Sequence, residues 1–322
     1  MGRYILKRLL WMIPIILGVT ILVFTMMTFC PGDPAEIILG STATQADLAA
    51  KREQLGLSQP FLVRLGKYMS DVFLHFDLGT SWITGISISA TIGERMPRTM
   101  ILAIVTLVIA FGLGIPLGVT AATHQNKWQD SVSMVLALIG VAIPSFWLAL
   151  LLIILFSVKL NWLPSMGIDR GLISYILPAL ANCAGALANA ARQTRSSMLD
   201  VIRADYITTA RAKGVPEREV VTKHALKNAL IPIITQMGTT FGRLLGGAMV
   251  IETIFSLPGM GLYVINAVNN RDYPVVQGGS IVLAIAFSLA MLLIDLLYAA
   301  VDPRIKAQYA SAKKARKVKA NA

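Results

Sequence analysis

The chain has 322 residues and a formal net charge of +12, yet only 14% of its residues are charged and 55% are hydrophobic. Soluble domains average about 25% charged residues, so this balance excludes one and places the chain in a membrane. The surplus cations lie beside apolar runs and are not interleaved with aromatics, which excludes a nucleic-acid surface. Two cysteines far apart, Cys30 and Cys183, imply neither a disulfide framework nor a metal site. Apolar runs of the roughly twenty residues that cross about 30 Å of hydrocarbon fall at 9–29, 99–121, 132–157, 173–191, 230–254 and 279–301. They predict an all-α membrane protein with six transmembrane helices.

The first run is expected to be an uncleaved span, because it exceeds the ~7–15-residue apolar core of a secretory signal and no small-x-small site follows it. Cys30-Pro31-Gly32-Asp33-Pro34 then marks an exit from the membrane. The 30–98 segment reads as mostly helical, over 47–54 and 61–73. The fourth span is diluted by Pro178, Asn182 and Asn189. Pro116, Pro144, Pro178 and Pro232 are expected to kink their spans. Asn182, Asn189 and Gln193 are expected to hydrogen-bond between helices, with the surrounding alanines permitting close packing.

Lys and Arg cluster at Arg3, Lys7 and Arg8, along 192–229, and in the tail from Arg304 to Lys319. The positive-inside bias therefore places both termini and the 192–229 loop in the cytoplasm and the 30–98 segment outside. The expected organisation is 1–94 as first span plus outer segment, 95–305 as a core of five spans, and 306–322 as a basic cytoplasmic tail, disordered over 311–322.

The most informative segment runs from Asp205 to Pro232. It begins helical, is stopped by Gly214 with Pro216 just beyond, and restarts as a helix. The break and the basic run after it resemble the cytoplasmic "EAA" loop in permease subunits of binding-protein-dependent ABC importers. Thr208, Thr209 and Ala210 stand at the triplet and Gly214 at the glycine, so the glutamate is absent. Asp-Tyr-Ile-x-Thr-Ala-Arg-Ala-Lys-Gly is how the dipeptide, oligopeptide and nickel permease subfamily writes the motif. Pro31-Gly32-Asp33-Pro34, Glu94-Arg95-Met96-Pro97-Arg98-Thr99, Ile143-Pro144-Ser145-Phe146-Trp147, Leu257-Pro258-Gly259-Met260-Gly261 and Asp302-Pro303-Arg304 match that subfamily in order, over essentially the whole chain.

The resemblance implies a type I ABC importer transmembrane fold in the bacterial inner membrane. It implies as partners a second homologous permease, ABC ATPase subunits and an extracytoplasmic solute-binding protein. The short helix with Asp205, Tyr206, Thr208, Thr209, Ala210, Arg211 and Gly214 is the expected coupling contact with the ATPase; the bland alternative is an amphipathic helix lying on lipid.

Two intramembrane charges stand out. Arg243 is roughly 20 Å from the cytoplasmic end of span five at 1.5 Å per residue. It either lines the translocation path or serves as a structural partner, with Asp295 poorly levelled for an ion pair. Glu252, nine residues on, falls on the opposite side of a continuous helix. It either anchors the outer region around Ser256 to Gly261 or lines the path. His75, His124 and His224 lack metal-ligand spacing, and HExxH, GxSxG and Walker A sequences are absent. No catalytic residues, metal or cofactor are expected, and ATP hydrolysis is assigned to partner chains. The expected function is the import of di- or oligopeptides, with nickel chelate or glutathione as alternative solutes. A self-sufficient secondary transporter or channel is the alternative from a different class.

Overall fold

The computed structural model describes residues 2–40 and 42–301; the Asp295 side chain, the Asp302-Pro303-Arg304 end and the 306–322 tail lie outside the described residues. Fourteen α-helical elements follow one another among them, and the β-pairing is a single bridge between Thr80 and Ser87. They are α1 (Gly2–Phe29), α2 (Pro34–Leu39), α3 (Gln45–Gln54), α4 (Phe61–Leu74), α5 (Ile88–Thr123), α6 (Trp128–Ala142) and α7 (Ser145–Leu152). Then come α8 (Ile176–Ile202), α9 (Asp205–Ala212), α10 (Glu217–Glu219), α11 (Leu226–Gly247), α12 (Met249–Ile254), α13 (Met260–Asn269) and α14 (Tyr273–Val301). Two π-helical stretches, Ile153–Lys159 and Val220–Ala225, extend α7 and join α10 to α11.

Four helical stretches among the described residues are long and apolar enough to cross a membrane: Ile5–Phe29, Ile88–Thr123, Gly171–Ile202 and Tyr273–Ile294. A fifth is present if α6 and the α7 helix, which meet at 98°, count as one broken span. Four to five spans thus stand where the sequence predicts six. The 132–157 run bends at Ile143-Pro144 far beyond a kink, because Ile143 is extended (φ −78°, ψ 121°) as a residue before proline prefers to be. The 230–254 run is two helices, α11 ending at Gly247 and α12 starting at Met249. Gly246-Gly247 weakens the helix there, and Gln236, Thr239, Thr240 and Arg243 dilute its apolar content.

The chain divides into two compact units. The first comprises residues 1–103, 160–178 and 245–288. In α1 the hydroxyls of Thr20, Thr25 and Thr28 donate to the carbonyls of Ile16, Ile21 and Phe24, so these three hydroxyls are satisfied within the helix. Asp33 then caps α2 through the Ala35 amide, with Pro34 at the first helical position. Thr44 and Asp47 form a reciprocal capping box on α3. The core gathers Met27, Ile88, Ile92, Met260, Val264 and Tyr273. Buried Asp272 fastens the 75–87 loop to this core: it accepts from Ser81 Oγ at 2.5 Å and from the Trp82 amide at 3.0 Å.

The second unit comprises 104–159, 179–244 and the chain from 289 onward. Its helices approach through small residues. A Cβ on Gly118 would stand 2.5 Å from the Ala191 carbonyl and from Thr194 Cβ, and one on Gly114 would stand 2.8 Å from Ala190 Cβ. The alanines of α8 therefore pack as expected, but its amides do not bridge helices. Asn189 accepts from Arg192 and Gln193 donates to Ser197, both within α8, and Asn182 Nδ2 is buried without a partner. The three- and four-residue spacings put each acceptor on the same helical face as its donor, which is the nearer partner.

Candidate functional site

The α9 hairpin is built from its buried side outward. Ile207 and Ala210, three residues apart and so on one helical face, are 0% and 8% exposed and pack with Met198, Val220, Ala225 and Ala229. That anchoring turns Asp205, Tyr206, Thr208, Thr209 and Arg211 outward, all exposed. Asp205 in the first turn complements the helix dipole, and the Thr209 hydroxyl closes on the Asp205 carbonyl at 3.0 Å. Of the expected coupling residues, Ala210 is thus turned inward, holding α9 to its unit, while the other side chains form an outer surface.

The helix ends as the sequence predicts. Gly214 lies at φ +76°, its amide donates to the Arg211 carbonyl at 2.9 Å, and Val215 closes back on Ala210. No atom lies within 4 Å of a Cβ built on Gly214, so the requirement for glycine is conformational, not spatial. Two cross-links hold the outer face. Arg211 grips Glu217 with two hydrogen bonds, of 3.0 and 2.7 Å, and the Asn228 amide donates to the Tyr206 hydroxyl at 2.9 Å. The hydrogen bond from Arg211 holds the Glu217 carboxyl below its ordinary value and raises Arg211 in turn.

The two charges that the sequence places in the fifth apolar run part company. Arg243 on α11 is exposed and makes no hydrogen bond or ion pair with another described residue. Glu252 on α12 is 1% exposed and wholly engaged by its own unit. Its Oε1 accepts from Thr99 Oγ1 at 2.6 Å and its Oε2 from the Leu262 amide at 2.9 Å. Thr99 Oγ1 also accepts from the Met260 amide at 2.8 Å, and a Cβ on Gly259 would overlap the carboxylate. Within this chain Glu252 is therefore held against the 256–261 turn. The helical arithmetic placing it opposite Arg243 does not apply, because the helix is interrupted between them.

One further pair escaped the sequence reading. Arg195 on α8 meets Asp130 at the start of α6 with two hydrogen bonds, of 2.6 and 2.7 Å, and Asp130 is 5% exposed. The only sequence signal is an acidic residue in the first turn of an apolar helix. Its partner, 65 residues away, looks like one more cation of a basic loop.

Comparison with known proteins agrees with this architecture. Residues 114–307 match the family model of the binding-protein-dependent transport system inner membrane component, and residues 1–103 match the N-terminal membrane component model of the same systems. The chain is 44% identical over 306 residues to the glutathione transport system permease protein of Salmonella choleraesuis, covering 95% of this chain and 99% of that one. It is 43% identical over 333 residues to the dipeptide transport system permease protein of Alkalihalophilus pseudofirmus, covering 95% and 100%. A putative peptide transport system permease protein of Brucella abortus is 45% identical over 313 residues, covering 95% and 99%. In fold, the chain is similar to one from the inward-facing MetNI methionine ABC transporter, with a TM-score of 0.55 at 19% identity, covering 66% of this chain and 97% of that one. The chain belongs to the inner membrane components of binding-protein-dependent transport systems, and is a permease subunit of a bacterial ABC importer.

Proposed function

We propose that this permease imports short peptides, glutathione among them, through a type I ABC importer fold with six spans and both termini in the cytoplasm. In this reading it forms the path with a second homologous permease and receives solute from an extracytoplasmic binding protein. The outer face of α9 couples it to an ATPase, the partner that supplies ATP hydrolysis. The observation that carries the coupling role is the polar face of Asp205, Thr208 and Thr209, held rigid by buried Ile207 and Ala210 and closed by the Arg211–Glu217 clamp. A helix meant to lie on lipid would turn apolar residues outward; α9 turns them into its own unit. The full-length identity to permeases named for dipeptide, glutathione and peptide transport supports the solute class.

The test is reconstitution of the chain with a second permease, ATPase subunits and a solute-binding protein. Uptake of labelled dipeptide and of glutathione into vesicles should require ATP, and a cysteine at Thr208 should cross-link to the ATPase. Solute uptake by this chain alone, without any ATPase, would replace the reading with a self-sufficient transporter.

A further inference from the structure

The first unit contains a cleft of about 390 Å³, within the roughly 300–1,000 Å³ of small-molecule sites. It opens between α4, the 53–59 turn, the 77–82 loop and the start of α14. Its lining carries charge of both signs, with Arg64 and Lys67 one turn apart on α4 and Glu53, Asp71 and Asp77 also present. These five side chains form no ion pair with one another. Asp71 lies 3.9 Å from His75 Nδ1 and Asp77 accepts from the Gly79 amide, whereas the side chains of Glu53, Arg64 and Lys67 make no hydrogen bond or ion pair with another described residue, so the recess presents charge of both signs to a ligand.

The neutral lining makes the same point. The Tyr68 hydroxyl is sealed from solvent and has no hydrogen-bond partner, and burial raises it above the ordinary phenol range, so it is a neutral donor. Gln277 is 5% exposed and makes no hydrogen bond with another described residue. Two aromatic pairs flank them: Phe24 stacks on Tyr68 at 5.6 Å, and Trp82 leans on Tyr273 at 5.4 Å. Arg64 lies 5.7 Å over the Phe24 ring.

We infer that this cleft binds a short zwitterionic peptide, its carboxylate toward Arg64 and Lys67, its ammonium toward the acidic side chains and an apolar side chain between the aromatic pairs. A lipid headgroup shares the paired charges but would leave the aromatic walls and much of the volume unfilled. The inference rests on the peptide-importer reading and adds to it a second, outer place for the transported class, built from this chain alone.

The experiment uses the complete importer in nanodiscs, without ATP and without binding protein, and measures equilibrium binding of labelled L-alanyl-L-phenylalanine. Saturable binding is expected. Arg64→Gln combined with Lys67→Gln should weaken it at least about tenfold, the scale of one lost charge-assisted hydrogen bond, whereas Arg64→Lys combined with Lys67→Arg should hold it within about threefold. A photoreactive analogue of the dipeptide should label the 61–82 segment of the unmodified protein, which tests the site even where a variant fails to assemble. Labelling confined to other segments overturns the inference. So does loss of phosphatidylethanolamine from the double Gln variant in native mass spectrometry with no dipeptide binding to the parent, since the cleft then belongs to lipid. Normal ATP-driven dipeptide uptake without binding in this assay also removes the cleft site and leaves the proposed function standing. Binding at the cleft with no ATP-driven uptake removes the proposed function and leaves the site.

Discussion

The Thr99 hydroxyl donates to the Glu252 carboxylate at 2.6 Å and accepts from the Met260 amide at 2.8 Å, so one side chain on α5 ties α12 to the turn that follows it. The two residues are 153 positions apart. With the Leu262 amide on the other carboxylate oxygen, two donors hold the acid directly, and the Met260 amide holds the hydroxyl that bridges to it.

Removing that hydroxyl leaves a buried acceptor short of a donor, at a cost of about 1.5–3 kcal/mol for a hydrogen bond to a charged group. Thr99→Val, close in shape, should lower the thermal midpoint of the purified permease. Gly259→Ala should do the same for a different reason, since its Cβ would overlap the Glu252 carboxylate. The two defects share a partner, so the double variant should lose less than the sum of the single losses. Full additivity in a thermal-shift cycle would dismantle this account of the turn.

Helix approach in the second unit should be equally sensitive at Gly118. There an added methyl meets backbone and β-carbon atoms that cannot swing away, and overpacking of this kind costs about 1–3 kcal/mol. Gly118→Ala should reduce the yield of assembled permease, while Gly112→Ala on the same helix, with nothing within 4 Å, should not. Equal yields for the two variants would mean that α5 and α8 tolerate separation.

Much of the fold was legible because bilayer length and charge bias are local signals. Four of the six predicted runs coincide with long apolar helices, and the Gly214 break appears where glycine and proline punctuate the chain. What escaped was non-local. Nothing near Glu252 announces Thr99, and nothing near Asp130 announces Arg195. Helical periodicity also could not show that 230–254 divides at Ala248 or that Pro144 turns its chain by 98°. In each place a short local irregularity outweighs a long apolar average. In α8 the same average concealed that Asn189 and Gln193 would find partners within one turn.

Gly214 offers a test of coupling. Because only its positive φ demands glycine, a β-branched residue should cost about 1–2 kcal/mol of backbone strain, and asparagine, which tolerates that region, should cost less. Gly214→Val is expected to insert normally yet lose most transport-coupled ATPase stimulation, with Gly214→Asn intermediate. The Arg211–Glu217 clamp should not make coupling pH-dependent near neutrality. Arg211 lowers the Glu217 carboxyl, so the pair's contribution is complete above the ordinary carboxylate value and fades only as pH falls through the lowered one. A steep change of stimulation between about pH 6 and 8 would point to a different titrating group.

Orientation can be decided with two single cysteines in a background lacking Cys30 and Cys183. Ala43→Cys should react with an impermeant maleimide from outside intact cells, and Lys213→Cys only after the inner face is opened. Reaction of both from one side would invert the positive-inside argument and remove α9 from the ATPase side.

The sharpest remaining distinction concerns Arg243. A guanidinium on an apolar helix must face water, a partner charge or another subunit, and within this chain Arg243 is exposed without an ion-pair partner among the described residues. A buried structural partner would make its removal cost about 3–5 kcal/mol and block assembly. The exposure argues for the other outcome: Arg243→Met should give a normal yield of assembled complex and at least a tenfold loss of uptake, about 1.4 kcal/mol of lost interaction. Arg243→Lys should recover part of that uptake, because it restores the charge without the planar fork. Collapse of the yield together with the uptake would place Arg243 in the subunit interface; normal uptake in both variants would remove it from the path.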